Sequence, residues 1–259
     1  MGLTHRSCGS GASREAFYQA GATETDYVIA LAGNPNTGKS TLFNALTGLR
    51  QHTGNWPGKT VLRATGKYIF QGRLYELIDL PGTYSLLAQS AEEQVARDYL
   101  CFGRPHATIV VVDATCLERN LNLALQVLEI TSRVVVCVNL IDEAKRKNIE
   151  INISALSNEL GVPVVATAAR EGAGLPALQQ AVAAVAEGSV KTSPRRVRYD
   201  QVIEQCIARL EPKIKELVGE TLNSRWLALR FLDGDATVVR ALAEWLARGK
   251  AVVGGDILV

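Results

Sequence analysis

From residue 27 the chain alternates between short apolar runs and longer stretches whose apolar residues recur at helical spacing. Residues 27–32 (YVIALA) predict a strand, and residues 41–46 an amphipathic helix that stops near Gly48. Residues 50–59 (RQHTGNWPGK), with two glycines and a proline, predict a mobile loop. Weak alternation over 60–70, a Gln71–Gly72 turn and the run 73–80 predict a hairpin. Residues 91–102 read as a helix with Val95, Tyr99 and Leu100 on one face. The run 108–113 (TIVVVD) predicts a strand buried on both faces. A helix through Leu117, Leu121, Leu125 and Leu128 follows, then a strand over 133–139 and a helix marked by Ile153, Leu156 and Leu160. The series closes with a strand over 163–167 and a helix over 175–186. Alternation of this kind predicts an α/β fold, a mostly parallel sheet with helices on both faces.

The pattern changes at residues 187–194, which read as a linker. Beyond Arg198 no strand-like run occurs, and three apolar stripes predict helices. These run through Val202, Ile203, Cys206, Ile207 and Leu210, then Leu222, Trp226, Leu229 and Phe231, then Val238, Leu242, Trp245 and Leu246. The expected organisation is a tail over 1–25, an α/β unit over 26–188 and a small all-α subdomain over 189–259. The tail is rich in Gly, Ser, Ala and Thr and reads as flexible, partly helical around 13–20. Composition, 47% apolar and 21% charged, is that of a soluble globular protein, and a net charge of +2 gives no reason to expect nucleic acid or an anionic membrane as partner. The five cysteines and three histidines form no metal-ligand or disulfide spacing, so free thiols in a reducing compartment and no Fe2+ site are expected. No secretory signal is evident, and no apolar run approaches the roughly 18 residues a membrane span needs.

The chemistry concentrates in Gly33-Asn34-Pro35-Asn36-Thr37-Gly38-Lys39-Ser40-Thr41, which fits G-x-x-x-x-G-K-[ST] between a strand and a helix. Phosphates need many donors and a nearby cation. Glycines let successive N–H groups point into a nest at the positive end of a helix. Lys39 is placed to reach the β- and γ-phosphates and the Ser40 hydroxyl to ligate Mg2+. A glycine-rich turn matched by chance is the plain alternative, and the downstream elements argue against it. Asp79-Leu80-Pro81-Gly82 ends a strand forty residues after Lys39. The Asp79 carboxylate suits Mg2+ held through a water, and the Gly82 N–H a γ-phosphate oxygen. Asn139 and Asp142 end a later strand, where a carboxylate accepts two hydrogen bonds from guanine that adenine cannot offer. Thr167-Ala168-Ala169 supplies a third base-side loop, with the Ala169 N–H directed at guanine O6. Thr60 or Thr53 completes the Mg2+ shell, spacing alone not deciding between them. Lys145 reads as a solvated helix charge.

These elements make a GTP-binding domain the expected class. The stretches GNPNTGKSTLFNALTG, TGNWPGKT, DLPGTYSL, EEQVARDYL and VVDATCLERNL further resemble FeoB, the bacterial ferrous-iron transporter with an N-terminal cytoplasmic GTPase domain. The similarity runs from about residue 27 to 188 and resumes at 225–235 (RWLALRFLDGD). The resemblance implies Thr60 as the switch I Mg2+ ligand. It implies Asn36 as ligand of a K+ ion bridging the phosphates, completed by the Gly54 and Trp56 carbonyls within Gly54-Asn55-Trp56-Pro57-Gly58. A K+ ion there offsets transition-state charge as an arginine finger does. The resemblance also implies a helical domain that favours GDP binding. Departures are the long tail, Ser40 where many members have threonine, Cys116 where asparagine is expected, and Thr83 where small signalling GTPases carry glutamine.

The reading reached is slow, K+-stimulated GTP hydrolysis that regulates Fe2+ uptake through the bacterial inner membrane. Expected cofactors are GTP or GDP, Mg2+ and K+. Expected partners are guanine nucleotide and the transmembrane iron-permease region of the full-length protein, with homo-oligomerisation left open and no nucleic acid. Two alternatives are a ribosome- or RNA-associated GTPase with a related loop, which would carry a basic appendage, and a binding switch in which hydrolysis is incidental.

Overall fold

The computed structural model describes residues 25–253 apart from Arg50, Gly58 and Ala88. The expected tail, its helical stretch and the apolar end at 256–259 therefore lie outside the described residues, except for Thr25. Strand β1 (Tyr27–Gly33) leads through the phosphate-type loop into α1 (Lys39–Thr47), which ends on Gly48 in the left-handed region. Next come β2 (Gln51–Asn55), β3 (Leu62–Phe70) and β4 (Arg73–Asp79), then α2 (Ala91–Asp98) with a π-helical turn over Tyr99–Gly103. The α/β unit continues with β5 (Ala107–Asp113), α3 (Leu117–Ile130), β6 (Val134–Asn139), α4 (Ile141–Arg146), α5 (Ile153–Leu160), β7 (Val164–Ala166) and α6 (Leu175–Glu187). Helices α7 (Gln201–Val218), α8 (Ser224–Leu232) and α9 (Ala236–Val253) complete the described chain.

The seven strands form one sheet in the order β2-β3-β4-β1-β5-β6-β7. β4, β1, β5, β6 and β7 are parallel, and β2 and β3 add antiparallel to the β4 side. The β3–β4 hairpin turns on Gln71 (φ 50°) and Gly72 (φ 75°), the left-handed pair that matches strand twist in a two-residue turn. Pleating divides the apolar residues between the faces. Ile29, Leu31, Ile109 and Val111 pack with α1 and α6, while Ala30, Val110, Val112 and Val138 pack with α2 and α3. Ile207, Ile214, Trp226, Leu227 and Val238 join that second cluster, so the helical part shares one core with the sheet's second face.

One local expectation needs correction, and two helices extend the pattern read from the sequence. Residues 51–55 form an edge strand, not a loop: β2 pairs with β3 from Gln51–Gly66 to Asn55–Leu62. Trp56 anchors the segment, its ring buried at 5.2 Å from Tyr99 and 5.1 Å below the Arg63 guanidinium. Burying an indole contributes about 2–3 kcal/mol, enough to offset the ordering of a few residues. Helix α7 passes through Pro212 to Val218, because Ile214 and Val218 continue the buried face begun by Ile207. The short helix α4 has too few residues to register as a periodic pattern.

Arg97 on α2 is fully buried and ties the two parts of the chain together. Its guanidinium donates to Asp98 Oδ1 (2.7 and 3.0 Å), Asp235 Oδ2 (3.1 Å) and Thr237 Oγ1 (2.9 Å). Asp235 in turn caps α9, accepting from the Thr237 and Val238 N–H groups. A buried cation is tolerated only when paired this fully. Arg97→Ala is expected to lower stability by about 3–5 kcal/mol in urea denaturation, since it strands Asp98 and Asp235. Arg97→Met, which keeps the buried stem, is expected to cost less.

Candidate nucleotide site at the carboxyl end of the sheet

The parallel strands end together, and their last residues are the ones singled out in sequence: Gly33 of β1, Asp79 of β4 and Asn139 of β6. Ligands of open α/β sheets bind at this edge. The β1–α1 loop approaches its surroundings too closely for side chains at its two glycines. A Cβ on Gly33 would lie 2.7 Å from the Val111 carbonyl oxygen, and one on Gly38 2.3 Å from Asn139 Nδ2. Asn36 (φ 67°) and Gly38 (φ 79°) take left-handed conformations within the loop, which turns backbone N–H groups toward a common centre. The Thr37 hydroxyl closes the loop internally by donating to the Asn34 carbonyl at 2.9 Å. Asn36, Ser40 and Thr41 are exposed, with no side-chain hydrogen bond among the described residues.

Lys39, at the start of α1, crosses to β4. Its ammonium pairs with Asp79 and donates to the Leu80 carbonyl at 2.8 Å. Burial pushes the Asp79 carboxyl above its ordinary pKa, and the charge of Lys39 opposes that shift. The Leu80 N–H donates to Leu31 O (3.0 Å) and the Thr83 N–H to Gly33 O (3.4 Å), which lays 79–83 against the end of β1. Gly82 sits beside Pro35, a Cβ there falling 3.5 Å from the Pro35 nitrogen. The Thr83 side chain is buried.

Asn139 is the junction of the site. Its Nδ2 donates to the Thr37 carbonyl at 2.9 Å, and its Oδ1 accepts from Thr167 Oγ1 (3.0 Å) and the Ala169 N–H (3.1 Å). One buried carboxamide thus joins the β1, β6 and β7 loops. Behind it the Cys137 thiol meets Thr167 Oγ1 at 3.1 Å, and burial pushes that thiol up to about 12, so it stays protonated. The Ala169 N–H is consequently not directed outward as expected: Asn139 holds it, while the Ala168 N–H is held by Ala173 O at 3.1 Å. Asp142 lies in the first turn of α4 after Leu140, which takes a left-handed φ of 61°, and pairs with Arg146 at 3.3 Å. Lys145 is exposed.

The structure does not bring every anticipated residue to this centre. Gly54 and Asn55 lie on β2, which β3 and β4 separate from β1. At about 4.8 Å per strand, that is roughly 14 Å across the sheet. The Trp56 carbonyl accepts the Lys59 N–H at 3.0 Å, and Lys59 Nζ reaches Gln94 on α2 at 3.0 Å. Asn36 follows β1, while Gly54 and Trp56 belong to the β2 segment beyond β3 and β4. Pro57 is half-buried, Thr60 is exposed and its hydroxyl makes no hydrogen bond among the described residues, and Gly58 falls outside them. Sequence reading missed Gly174, whose φ of 78° lets it pass the Ala166 carbonyl oxygen, 2.2 Å from where a Cβ would be. The G-A-G after the β7 loop was the available signal.

This fold and these loops define a P-loop GTPase-type domain followed by a helical unit. Residues 27–182 match the family described as "Ferrous iron transport protein B", and residues 199–252 match "FeoB cytosolic helical domain". The chain belongs to the FeoB family. It is 41% identical over 214 residues to the Fe(2+) transporter FeoB of Escherichia coli (strain K12), covering 80% of this chain and 27% of that protein. The chain thus spans about a quarter of the length of the curated relatives it matches. Among solved structures, the cytosolic domain of T. maritima FeoB in GDP form I superposes with a TM-score of 0.77 at 37% identity, covering 87% of each chain. The same domain in a GMPPNP form gives 0.76 at 36%, covering 85% of this chain and 86% of that one. Among the described residues, no helix is long and apolar enough to cross a membrane.

Removing the Asn139 carboxamide would leave the Thr37 carbonyl and the Ala169 N–H without this partner, and the Thr167 hydroxyl with the Cys137 thiol alone. Asn139→Ala is expected to cost about 2–4 kcal/mol in urea denaturation. Hydrogen exchange at Ala169 is expected to rise in the same variant.

Proposed function

We propose that the chain binds GTP and GDP at this site, hydrolyses GTP slowly, and serves as the nucleotide-operated cytosolic part of a longer Fe2+ transporter. The observation that carries the reading is the joining of three loops through Asn139, with Lys39 poised against Asp79 beside them. On this reading the triphosphate lies over the 33–41 loop, cradled by the N–H groups around Asn36 and Gly38. Lys39 exchanges Asp79 for β- and γ-phosphate oxygens, so charge pairing is kept while its partner changes. The free hydroxyls of Ser40 and Thr60 and the freed Asp79 carboxylate suit a Mg2+ shell of hard oxygen donors. When bound, Mg2+ would neutralise charge building on the phosphates. The Gly82 N–H meets the γ-phosphate, Asp142 accepts from guanine, and Asn139 keeps phosphate and base loops in register.

Slow turnover follows from the position after Gly82. Thr83 is buried and carries no carboxamide to orient a water. K+ stimulation is implied by the resemblance to FeoB, with Asn36 and the Gly54 and Trp56 carbonyls as the residues that would hold the ion. Coupling to Fe2+ passage belongs to the longer protein. The RNA-associated alternative finds no support in the helical part, which belongs to the FeoB cytosolic helical family.

The test is GTP turnover by the purified chain in KCl and in NaCl at matched ionic strength, with Lys39→Ala and Asn36→Ala alongside. The proposal expects slow turnover in both salts that Lys39→Ala reduces by at least about 100-fold, the loss of two charge-assisted contacts. It further expects faster turnover in KCl, an increment that Asn36→Ala removes. Turnover unaffected by Lys39→Ala would refute the site. Equal rates in the two salts would remove K+ alone.

A further inference from the structure

A cleft of about 570 Å³ lies away from the phosphate loop, where the turn before β5, the α3–β6 connection and the helical part meet. Leu100 and Trp226 line it, and none of the 33–41, 79–83 or 139–142 residues does. Volumes of this order hold small ligands, and junctions between packed units commonly carry them.

The charges around the cleft do not balance. Six cationic side chains line it against three carboxylates: Glu220 pairs with Lys215 at 2.7 Å, while Glu129, accepting from the Tyr199 hydroxyl at 2.7 Å, and Glu211, accepting from Ser224 at 3.3 Å, keep their negative charge. Arg225 pairs with Glu204 and Arg195 with Glu159, both acids lying outside the cleft wall. Arg104, Arg133 and Arg196 also line it, and their guanidiniums have no carboxylate partner among the described residues. A guanidinium is more weakly hydrated than an ammonium and offers a planar fork of donors that fits phosphate oxygens.

Arg104 adds an independent feature. It holds φ 51° directly after the π-helical turn Tyr99–Gly103, a left-handed conformation that non-glycine residues adopt at a cost. The neighbouring glycine is needed one position earlier, where a Cβ on Gly103 would come within 2.8 Å of the Tyr99 ring. The chain therefore keeps a full arginine at the strained position. π-Helical turns are uncommon and are frequent at functional sites.

We propose that this cleft binds a phosphate-bearing anion through Arg104, Arg133 and Arg196. A compact polyanion suits a concavity, where an extended acidic chain would need a stripe of charge. The phosphate has two sources with the same chemistry, a soluble phosphate compound or the headgroup of an anionic lipid.

The experiment uses the chain saturated with GDP without added Mg2+, which pyrophosphate would chelate, so that the nucleotide site is occupied. Inorganic pyrophosphate is titrated by calorimetry, with Trp226 fluorescence as a second readout. Co-sedimentation with phosphatidylglycerol vesicles is compared with phosphatidylcholine. The variant is Arg104→Gly, Arg133→Ala, Arg196→Ala combined; glycine at 104 retains the left-handed backbone, and circular dichroism checks folding. Saturable pyrophosphate binding that the variant weakens by at least about tenfold supports a soluble ligand. Binding only to phosphatidylglycerol vesicles, lost in the variant, supports a lipid headgroup. No binding to either probe, or binding the variant keeps, overturns the proposal. GDP affinity measured in the same samples separates this result from any failure of the nucleotide reading.

Discussion

Three loops from distant parts of the chain meet at one end of the sheet because a single buried carboxamide bonds to all of them. Asn139 sits at the end of β6, 102 residues from the Thr37 carbonyl it donates to and 30 from the Ala169 N–H it accepts. Neither contact tolerates a looser arrangement. Gly38 must lack a side chain for Asn139 Nδ2 to arrive, and Thr167 must orient its hydroxyl, which the Cys137 thiol supports from behind. Parallel strands place these loops side by side, but only roughly, and the carboxamide sets their register. The loops proposed to hold phosphate and base are in this way tied into one hydrogen-bonded unit.

The charges near this junction follow a second constraint. Lys39 and Asp79 are both drawn out of water, and each needs the other. A phosphate ligand would compete with Asp79 for the same ammonium, which frees a carboxylate where a divalent cation needs one. One exchange of partners therefore serves two ligands. From Asp79 the chain continues into α2, where Gln94 meets Lys59 from the end of the 51–59 segment and Arg97 reaches Asp235 and Thr237. The 51–59 segment and the helical part accordingly meet α2 one turn apart.

Much of this was legible in the sequence because it depends on local rules. The apolar run before Gly33, the spacing of Gly38 and Lys39, and carboxyl or amide residues at strand ends all announce themselves within a few residues. What escaped depends on contacts between residues far apart in the chain. Residues 51–55 read as a loop because Gly54 and the Asn55–Pro57 stretch are turn-formers, and the pairing with β3 and the burial of Trp56 against Tyr99 override them. The helix read through Leu210 continues past Pro212, because Ile214 and Val218 have a core to reach. Arg97 carries no local signal of its burial, because its partners Asp235 and Thr237 lie about 140 residues on. The role expected for the Ala169 N–H failed for a similar reason: its partner is a side chain on another strand.

Guanine nucleotide is the proposed ligand of this junction. The direct measurement is titration of the chain with fluorescently labelled GDP and labelled ADP, for the wild type and Asp142→Ala. Saturable GDP binding at least about 100-fold tighter than ADP, with that preference lost in Asp142→Ala, is the predicted result. Equal affinity for the two nucleotides, or a guanine preference that survives the substitution, would contradict it.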